Sequence, residues 1–360
     1  MKIIIATGGT GGHIYPALAL ANEIVKKDSE AKILFIGNND RMEAKLIPEC
    51  GYEFYGVNAS GLTGNILNKA KAVIQMFIAK NKCKNKIKEV GADIAIGFGG
   101  YVSAPVILAA QSLSIPTLIH EQNSIVGASN KLVAKKATGI IICYELCYEQ
   151  FPKNKTRLLG NPRASEINNI NFDKDYYKSL ELAPNKPLIL IVMGSLGSTS
   201  INNIMKEALK SIDTKYQILY VSGKKNYIKV KEEIKQSNVK VVDYVETLKI
   251  IDKVELIICR AGATTAAEIS AKGTPAILIP SPYVANNHQF YNANVLVEKK
   301  AALMIEEKDL TSEQLSSKID NVMSNDKLRK EMKTNMLKLG YPNANTEIIN
   351  WIEEICGKEI

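Results

Sequence analysis

The chain has 360 residues, of which 46% are hydrophobic and 23% charged, and its formal net charge is +9. This length favours two domains, and this composition excludes a disordered, fibrous or disulfide-stapled protein. Residues 1–162 hold 19 basic against 12 acidic side chains, so this half is expected to meet an anionic partner: a nucleic acid, an acidic membrane face or a phosphorylated substrate.

The chain opens with a buried strand at 2–6, a glycine-rich turn and a helix from about Pro16 to Lys27. Further apolar runs in the first half are typical of buried parallel strands, at 32–36, 94–97, 117–120 and 139–143. After a polar segment at 162–186 the pattern begins again, with strands predicted at 188–193, 217–221, 239–242, 256–259 and 276–279.

Two successive blocks of alternating strands and helices predict an α/β protein made of two doubly wound, Rossmann-like domains facing a cleft. The first domain is expected to span 1–162 and the second 163–342. The closing helix, within 343–360, is expected to pack back on the first domain.

The uncharged stretch 94–119 is long enough to span a bilayer. Gly97, Pro105 and Pro116 would interrupt a single helix there, so strand, loop, helix and strand are favoured and the protein is expected to be soluble. The N-terminus turns glycine-rich too early for a signal peptide, and the six cysteines are expected to be reduced thiols.

Three glycine-rich loops follow predicted strands: Gly8–His13, Gly99–Tyr101 and Gly194–Gly197. Glycines let a phosphate approach the backbone N–H groups at a helix N-terminus, and the carboxyl ends of parallel strands meet at one edge of a sheet. The loops therefore indicate a phosphate-rich ligand in the cleft, with a plain tight turn as the alternative for each. Ile14 stands where the dinucleotide fingerprint needs glycine, which argues against a nicotinamide oxidoreductase.

Two loops in the second half carry polar groups suited to a nucleotide sugar. In Arg260–Glu268, glycine and threonine can donate hydrogen bonds to a diphosphate, and Glu268 can accept from both ribose hydroxyls; a capped helix with a solvent-facing glutamate is the alternative. Residues 280–289 are rich in amide and imidazole groups suited to sugar hydroxyls. All three histidines, His13, His120 and His288, follow strands.

Together these motifs resemble the MurG family of peptidoglycan glycosyltransferases. The resemblance is carried in family order by Gly8–His13, Asp40–Glu43, Gly99–Ser103, His120–Asn123, Gly160–Arg163, Gly194–Gly197, Arg260–Glu268 and His288-Gln289. It implies the two-domain architecture called GT-B. It also implies an inverting enzyme that moves N-acetylglucosamine from UDP-N-acetylglucosamine to undecaprenyl-diphospho-muramoyl-pentapeptide.

The resemblance implies that the donor lies largely against the second domain. Donor contacts are implied for Thr10, Gly11, Gly12, Asn123, Arg163, Ser195, Val245, Ala263, Thr264, Thr265, Ala266, Ala267, Glu268 and Gln289. Acceptor contacts are implied for Gly99, Gly100, Tyr101 and His120. Glu268 would bind the ribose, the Val245 backbone the uracil and Ser195 the diphosphate. Met193 and Leu196 depart from the family's usual glycine and glutamine, and modest geometric effects are expected.

Inversion needs a base for the attacking hydroxyl and stabilisation of the departing diphosphate. His13 is the predicted catalytic base, with Glu121 and Asp40 as alternatives. No cofactor or metal is expected, because the one Asp-x-Asp match, Asp173 and Asp175, lies in a polar segment rather than after a strand.

Residues 54–88 contain no acidic side chain, and seven lysines lie among apolar residues there. Such a basic amphipathic helix is typical of proteins that bind an anionic membrane surface, so a peripheral location on the cytoplasmic face of the cell membrane is expected. A structural helix with a solvated lysine face is the alternative.

Other functions stay open on the residues alone: another GT-B glycolipid glycosyltransferase, a UDP-sugar epimerase, or a non-catalytic nucleotide- or nucleic-acid-binding protein. The Gly99–Ser103 and His120–Asn123 motifs argue against the first two. The lysine-rich stretch lacks stacking aromatics beyond Phe77, so nucleic acid is not an expected partner.

Overall fold

A computed structural model describes residues 1–61, 65–193 and 199–360. These residues divide into two compact units. Unit 1 comprises Met1–Glu166 together with Asn343–Ile360, and unit 2 comprises Ile167–Pro342. The assignment of the acceptor to the first domain and the donor to the second stays a prediction.

Unit 1 is built on a parallel sheet whose strand order is β3-β2-β1-β4-β5-β6-β7. Its strands are β1 (Lys2–Ala6), β2 (Lys32–Asn38), β3 (Glu53–Val57), β4 (Ile94–Gly97), β5 (Thr117–Glu121), β6 (Gly139–Ile142) and β7 (Thr156–Leu158). Its helices are α1 (Gly11–Lys27), α2 (Met42–Glu49), α3 (Ile66–Val90), α4 (Ser103–Gln111), α5 (Ala128–Val133) and α6 (Pro162–Asn168), which runs two residues past the unit boundary, with α15 (Ala344–Cys356) from the C-terminus. The central strands are apolar on both faces because helices cover both sides of the sheet.

The C-terminal helix α15 packs on the sheet of unit 1. Trp351 is 5% exposed, and the Arg157 guanidinium lies 4.4 Å from the centroid of its ring. The same guanidinium makes two 2.8 Å hydrogen bonds to the carboxylate of Glu354. Gly139 faces the indole so closely that a side chain at this position would collide with it.

Unit 2 has a second parallel sheet, with the order β10-β9-β8-β11-β12-β13. Its strands are β8 (Leu188–Val192), β9 (Gln217–Val221), β10 (Val239–Val242), β11 (Val254–Cys259), β12 (Ala276–Leu278) and β13 (Ala302–Met304). Its helices are α7 (Lys174–Ser179), α8 (Thr199–Leu209), α9 (Tyr227–Glu233), α10 (Thr247–Ile250), α11 (Ala263–Lys272), α12 (His288–Glu298), α13 (Ser312–Ser324) and α14 (Asp326–Leu337). The two all-parallel sheets confirm the predicted fold class of two Rossmann-like α/β domains.

The predicted start of α1 at Pro16 is wrong, because the helix begins at Gly11 and includes this proline. Proline's fixed φ fits a helix, and as the sixth residue of α1 Pro16 forgoes the hydrogen bond that an N–H would donate to the Gly12 carbonyl. The uncharged stretch 94–119 forms β4, α4 and β5, as predicted. Among the helices described here, none has both the length and the apolar character needed to cross a membrane.

Candidate active site

In unit 1 the glycine loop between β1 and α1 presents the start of a helix. Thr10 is the N-cap residue of α1, with extended backbone angles, and its side chain makes no capping hydrogen bond. Gly9 has a φ of +91°, a conformation that glycine adopts without strain. The loop therefore turns sharply out of the sheet and leads directly into Gly11, Gly12 and His13 in the first turn.

The structure brings three predicted site residues together at this turn. The Thr10 hydroxyl lies 3.1 Å from Nδ1 of His13, which is half-buried. A side chain at Gly99 would come within 2.8 Å of the His13 ring, so the absence of a side chain at this residue makes room for the imidazole. Thr10, His13 and Gly99 thus form one compact group at the carboxyl ends of β1 and β4.

The turn after β4 packs backbone to backbone against the first glycine loop. Gly100 has a φ of +78°, and a side chain there would collide with the carbonyl oxygen of Gly8. Next to it the Tyr101 side chain is 54% exposed. The two loops are held in contact, with Tyr101 accessible at their edge.

Glu43, on α2, braces the same loop by a hydrogen bond to its backbone. It was not singled out as a site residue from the sequence. Its side chain is fully buried on α2. Oε2 accepts a hydrogen bond of 3.1 Å from the Gly9 N–H, and Oε1 accepts one of 3.0 Å from the Asn38 N–H. The only signal in the sequence was its place in the Asp40–Glu43 motif.

His120 lies inside unit 1 rather than at a ligand-accessible surface. Its side chain is fully buried, its Nε2 donates to the Gly160 carbonyl at 3.2 Å, and its ring stacks obliquely on Phe98. Burial lowers the pKa of His120 to about 4, because an imidazolium ion would lose its hydration there. The implied acceptor contact of His120 is therefore not supported, and the residue instead holds the 160 turn.

Glu121 is also buried and organises the loop that follows β5. Its carboxylate accepts hydrogen bonds from the N–H groups of Gly127 (2.9 Å) and Asn123 (3.1 Å) and from the side-chain amide of Asn130 (2.9 Å). Burial raises the pKa of Glu121, against the opposing effect of these donors. Both oxygens are engaged and 2% of the residue is exposed, so Glu121 holds this loop in place, and its role as alternative base stays a prediction.

Asp40, the other alternative base, is exposed to solvent instead of buried, and its catalytic role stays a prediction. Its side chain is 79% exposed, beyond the end of β2, and its nearest cation is Arg41 at 3.8 Å.

Arg163 is held at the start of α6 by several contacts within unit 1. Its guanidinium pairs with Glu166 and lies 5.6 Å from the ring centroid of Tyr15 on α1. Its N–H donates to the Asn161 side chain at 3.0 Å. The structure thus places this implied donor contact near the helix that follows the first glycine loop.

In unit 2 the loop between β11 and α11 presents a second helix start. Gly262 is its N-cap, with extended backbone angles and no side-chain cap. Behind it, Arg260 donates a hydrogen bond of 3.1 Å to the Ile279 carbonyl and forms an ion pair of 2.7 Å with Glu307. The Asn292 amide reaches the Ala261 carbonyl at 3.2 Å.

The first two turns of α11 carry the implied diphosphate and ribose contacts. Thr264 lies in the first turn, and its Oγ1 is buried with no hydrogen-bond partner in the part of the chain that is described. Glu268 is half-buried in the second turn of this helix. The helix start offers backbone N–H groups and a partial positive charge where an anion would bind.

The loop before α12 has a constrained backbone. Asn286 and Asn287 both adopt the left-handed conformation, with φ of +53° and +51°. His288 Nδ1 donates to the Ala285 carbonyl at 2.9 Å. Oε1 of Gln289 accepts from the Ser281 N–H at 2.8 Å. This leaves the side-chain nitrogen of Gln289 as the group suited to donate to a sugar hydroxyl.

Of two further implied donor contacts, Val245 and Ser195, only Val245 lies in the described part of the chain. Val245 follows β10, and its side chain is 5% exposed in the core of unit 2, so only its backbone is suited to contact a ligand. Ser195 and the Gly194–Gly197 loop lie outside the described residues. Asp173, from the Asp-x-Asp match, caps α7 by accepting from the Tyr176 N–H at 2.8 Å.

Two family models match the chain. The glycosyltransferase family 28 N-terminal domain matches residues 3–142, and the glycosyltransferase family 28 C-terminal domain matches residues 188–348. Together they cover most of both units.

Relatives match over the full length. A Bacillus cytotoxicus protein named UDP-N-acetylglucosamine–N-acetylmuramyl-(pentapeptide) pyrophosphoryl-undecaprenol N-acetylglucosamine transferase is 40% identical over 99% of this chain and 100% of its own. A Halalkalibacterium halodurans protein of the same name is also 40% identical, with the same coverage.

Solved structures give the same fold. Acinetobacter baumannii MurG matches with a TM-score of 0.82 and 28% identity, over 98% of this chain and 99% of that one. UDP-GlcNAc 2-epimerase from Neisseria meningitidis, bound to UDP-GlcNAc, matches with a TM-score of 0.67 and 15% identity, over 98% and 100%. At 15% identity the second likeness concerns the fold alone.

Proposed function

Because this chain belongs to glycosyltransferase family 28, we propose that it transfers N-acetylglucosamine from UDP-N-acetylglucosamine to the muramic acid 4-hydroxyl of undecaprenyl-diphospho-muramoyl-pentapeptide. The observation that carries this conclusion is 40% identity along the whole chain to relatives named for this reaction. The chain is thus an N-acetylglucosaminyltransferase of peptidoglycan synthesis, and it shares its fold with MurG.

His13 is the proposed catalytic base in unit 1. In the tautomer in which Nδ1 donates to the Thr10 hydroxyl at 3.1 Å, Nε2 carries the lone pair that accepts the proton of the attacking hydroxyl. The Gly99 turn flanks this ring, and Tyr101 is exposed beside it. These contacts fix the orientation of the imidazole and support the acceptor roles proposed for Gly99, Gly100 and Tyr101.

Unit 2 is proposed to hold the nucleotide. The uncapped start of α11 offers N–H groups to the diphosphate, which is also the leaving group, and the buried Thr264 hydroxyl adds a donor. Glu268 would accept from the ribose hydroxyls, and Gln289 would donate to the sugar. Charge that develops on the departing diphosphate is thereby met by dipoles that are already oriented.

The test is UDP release from UDP-N-acetylglucosamine with and without a short-chain, lipid-linked muramoyl-pentapeptide acceptor. We expect release that depends on acceptor, together with a disaccharide product identified by mass spectrometry. Donor binding without turnover on this acceptor would contradict the proposed acceptor. Absence of donor binding would contradict the proposed function as a whole.

We further propose that α3 docks unit 1 on an anionic membrane surface. The helix packs inward through Ala72, Ala79, Cys83 and Ile87. Its larger apolar side chains instead face solvent, with exposures of 84% for Ile66, 78% for Leu67, 37% for Val73, 60% for Ile74, 57% for Phe77 and 52% for Ile78. The side of α3 that faces the core is thus separate from the side that carries these exposed apolar residues.

The exposed apolar residues and the lysines of α3 suit an interface that combines lipid chains with anionic headgroups. Phe77→Glu, and separately Lys80→Glu with Lys84→Glu, should reduce co-sedimentation with phosphatidylglycerol vesicles. Lys224→Glu with Lys225→Glu, an equal charge change on exposed residues of unit 2, is the matched control. Unchanged vesicle binding by the α3 variants would contradict the docking role.

A further inference from the structure

Glu43 joins two loops at the carboxyl edge of the unit 1 sheet. Its two oxygens accept from the N–H groups of Gly9, after β1, and Asn38, at the end of β2, at 3.1 and 3.0 Å. Each oxygen of the side chain thus has a backbone donor of its own. A single side chain thus fixes the distance between these two neighbouring loops.

The surrounding residues make space for this carboxylate. A side chain at Gly8 would collide with Oε1 of Glu43, and a side chain at Gly37 would come within 2.6 Å of its Cγ. These two positions therefore accommodate only glycine while Glu43 keeps its place. Glu43 also lies in the first turn of α2, where the positive end of the helix dipole stabilises a carboxylate.

The brace leads directly to the proposed base. Gly9 is followed by Thr10, whose hydroxyl contacts His13 Nδ1 at 3.1 Å. From the other side, the Gly99 turn contacts the His13 ring, and Gly100 contacts Gly8. The loop that carries His13 is therefore held between Glu43 and the Gly99 turn.

We propose that Glu43 is a positioning residue for the glycosyl transfer, acting through Gly9 and Thr10 to fix the orientation of His13. The proposal rests on the proposed function, in which His13 takes the acceptor proton. A small displacement of a reacting group can lower turnover by as much as about a hundredfold. Loss of the brace should therefore lower kcat without removing the donor site, which is proposed to lie on unit 2.

The first test is Glu43→Gln in the full-length protein. A glutamine presents one oxygen and one NH2 group, so one of the two N–H donors loses its acceptor. We expect kcat to fall by about 10- to 100-fold, with the Kd for UDP-N-acetylglucosamine within about threefold of the parent. Glu49→Gln, an exposed residue of the same helix, is the control that should leave both unchanged.

Coupling to His13 separates positioning from a general structural effect. If Glu43 acts through His13, then Glu43→Gln should lower kcat by less than about threefold in the His13→Ala background. Fluorescence of Trp351, the single tryptophan and a residue of unit 1, checks that both variants fold. If Glu43→Gln does not fold, Glu43→Asp takes its place, because it keeps the charge but is one methylene shorter.

Three kinetic outcomes would overturn the proposal: kcat within twofold of the parent, an undiminished effect of Glu43→Gln in the His13→Ala background, or a fall in kcat that only matches a lower folded fraction. Hydrogen exchange of residues 7–13 gives a readout independent of turnover, and it should accelerate in Glu43→Gln. If the parent protein itself lacks acceptor-dependent turnover, the proposed function fails, whereas unchanged exchange in the variant contradicts the brace itself.

Discussion

The two units present the same element, a strand followed by an uncapped helix start, but they brace it differently. In unit 1 the buried Glu43 side chain accepts from the Gly9 N–H, so the brace takes a donor from the loop. In unit 2 the Asn292 amide binds the Ala261 carbonyl instead, and Arg260 is neutralised by Glu307.

This difference changes which backbone groups of each loop are engaged within the protein. Glu43 takes up the Gly9 N–H of the unit 1 loop, whereas Asn292 takes up a carbonyl, not an N–H group, in the α11 loop. N–H groups at a helix start are the donors that an anion uses. The phosphate contact expected at each glycine loop stays a prediction, and the two loops differ in the donors they keep for it.

The largest effect on turnover is expected when the His13 side chain of unit 1 is removed. With His13→Ala we expect kcat to fall by about 10²- to 10⁴-fold, because general-base assistance is lost. The Kd for UDP-N-acetylglucosamine should stay within about threefold, measured by isothermal titration calorimetry. Lys26→Ala, an exposed change on the same helix, is the control. Turnover near that of the parent would exclude His13 as the base.

The next largest effect is expected on stability: loss of the Arg260–Glu307 ion pair should lower the free energy of unfolding of unit 2. Arg260 and Glu307 are 12% and 11% exposed, and Glu307→Gln leaves a nearly buried guanidinium without its anion. We expect the free energy of unfolding of unit 2 to fall by about 3 kcal/mol, measured by hydrogen exchange of β11 and β12. Glu306→Gln is the matched neighbour, since its partner Lys308 is exposed. Equal hydrogen-exchange protection of β11 and β12 in the two variants would show that the Arg260–Glu307 ion pair does not stabilise unit 2.

Lowering the pH should lower the free energy of unfolding of unit 1, because His120 is buried there. Its pKa falls from 6.5 to about 4 on folding, so between these values the unfolded chain binds more protons and stability is lost as the pH falls. The expected loss is about 3 kcal/mol between pH 6.5 and 4, followed by Trp351 fluorescence in urea. His120→Gln should remove this part of the pH dependence. If the free energy of unfolding fell equally steeply with falling pH in parent and variant, His120 would not be its cause.

Substitution of Glu268 in unit 2 should affect donor affinity, whereas substitution of His13 in unit 1 should affect turnover. Glu268→Ala should raise the Kd for UDP-N-acetylglucosamine by about 10- to 100-fold, the usual worth of hydrogen bonds to a charged group. At saturating donor, kcat should change by less than about threefold. Glu232→Ala, an exposed change elsewhere in unit 2, is the control. A fall in kcat with unchanged donor affinity would place Glu268 outside the ribose site.

Much of the fold was predictable because buried parallel strands are continuous apolar runs. The predicted bounds of β4, β9 and β10 match the structure, whereas β3, β7 and β13 were not predicted. Three of the four edge strands, β3, β7 and β13, are short or half-exposed, so their apolar pattern is weak. The fourth edge strand, β10, has three valines in four residues and was predicted. The site was predictable only where motif and position coincide, as at Thr10, His13 and Gly99.

The α/β class, the family and the loops that carry polar groups could be read from the amino-acid sequence, because they follow from local patterns and shared motifs. The folded chain was needed to show that Glu121 and His120 are buried, that Asp40 is solvated, and that the apolar residues of α3 face outward. It alone revealed the Glu43 brace. Burial and contact depend on which distant segments pack together, and no spacing along the chain contains that information.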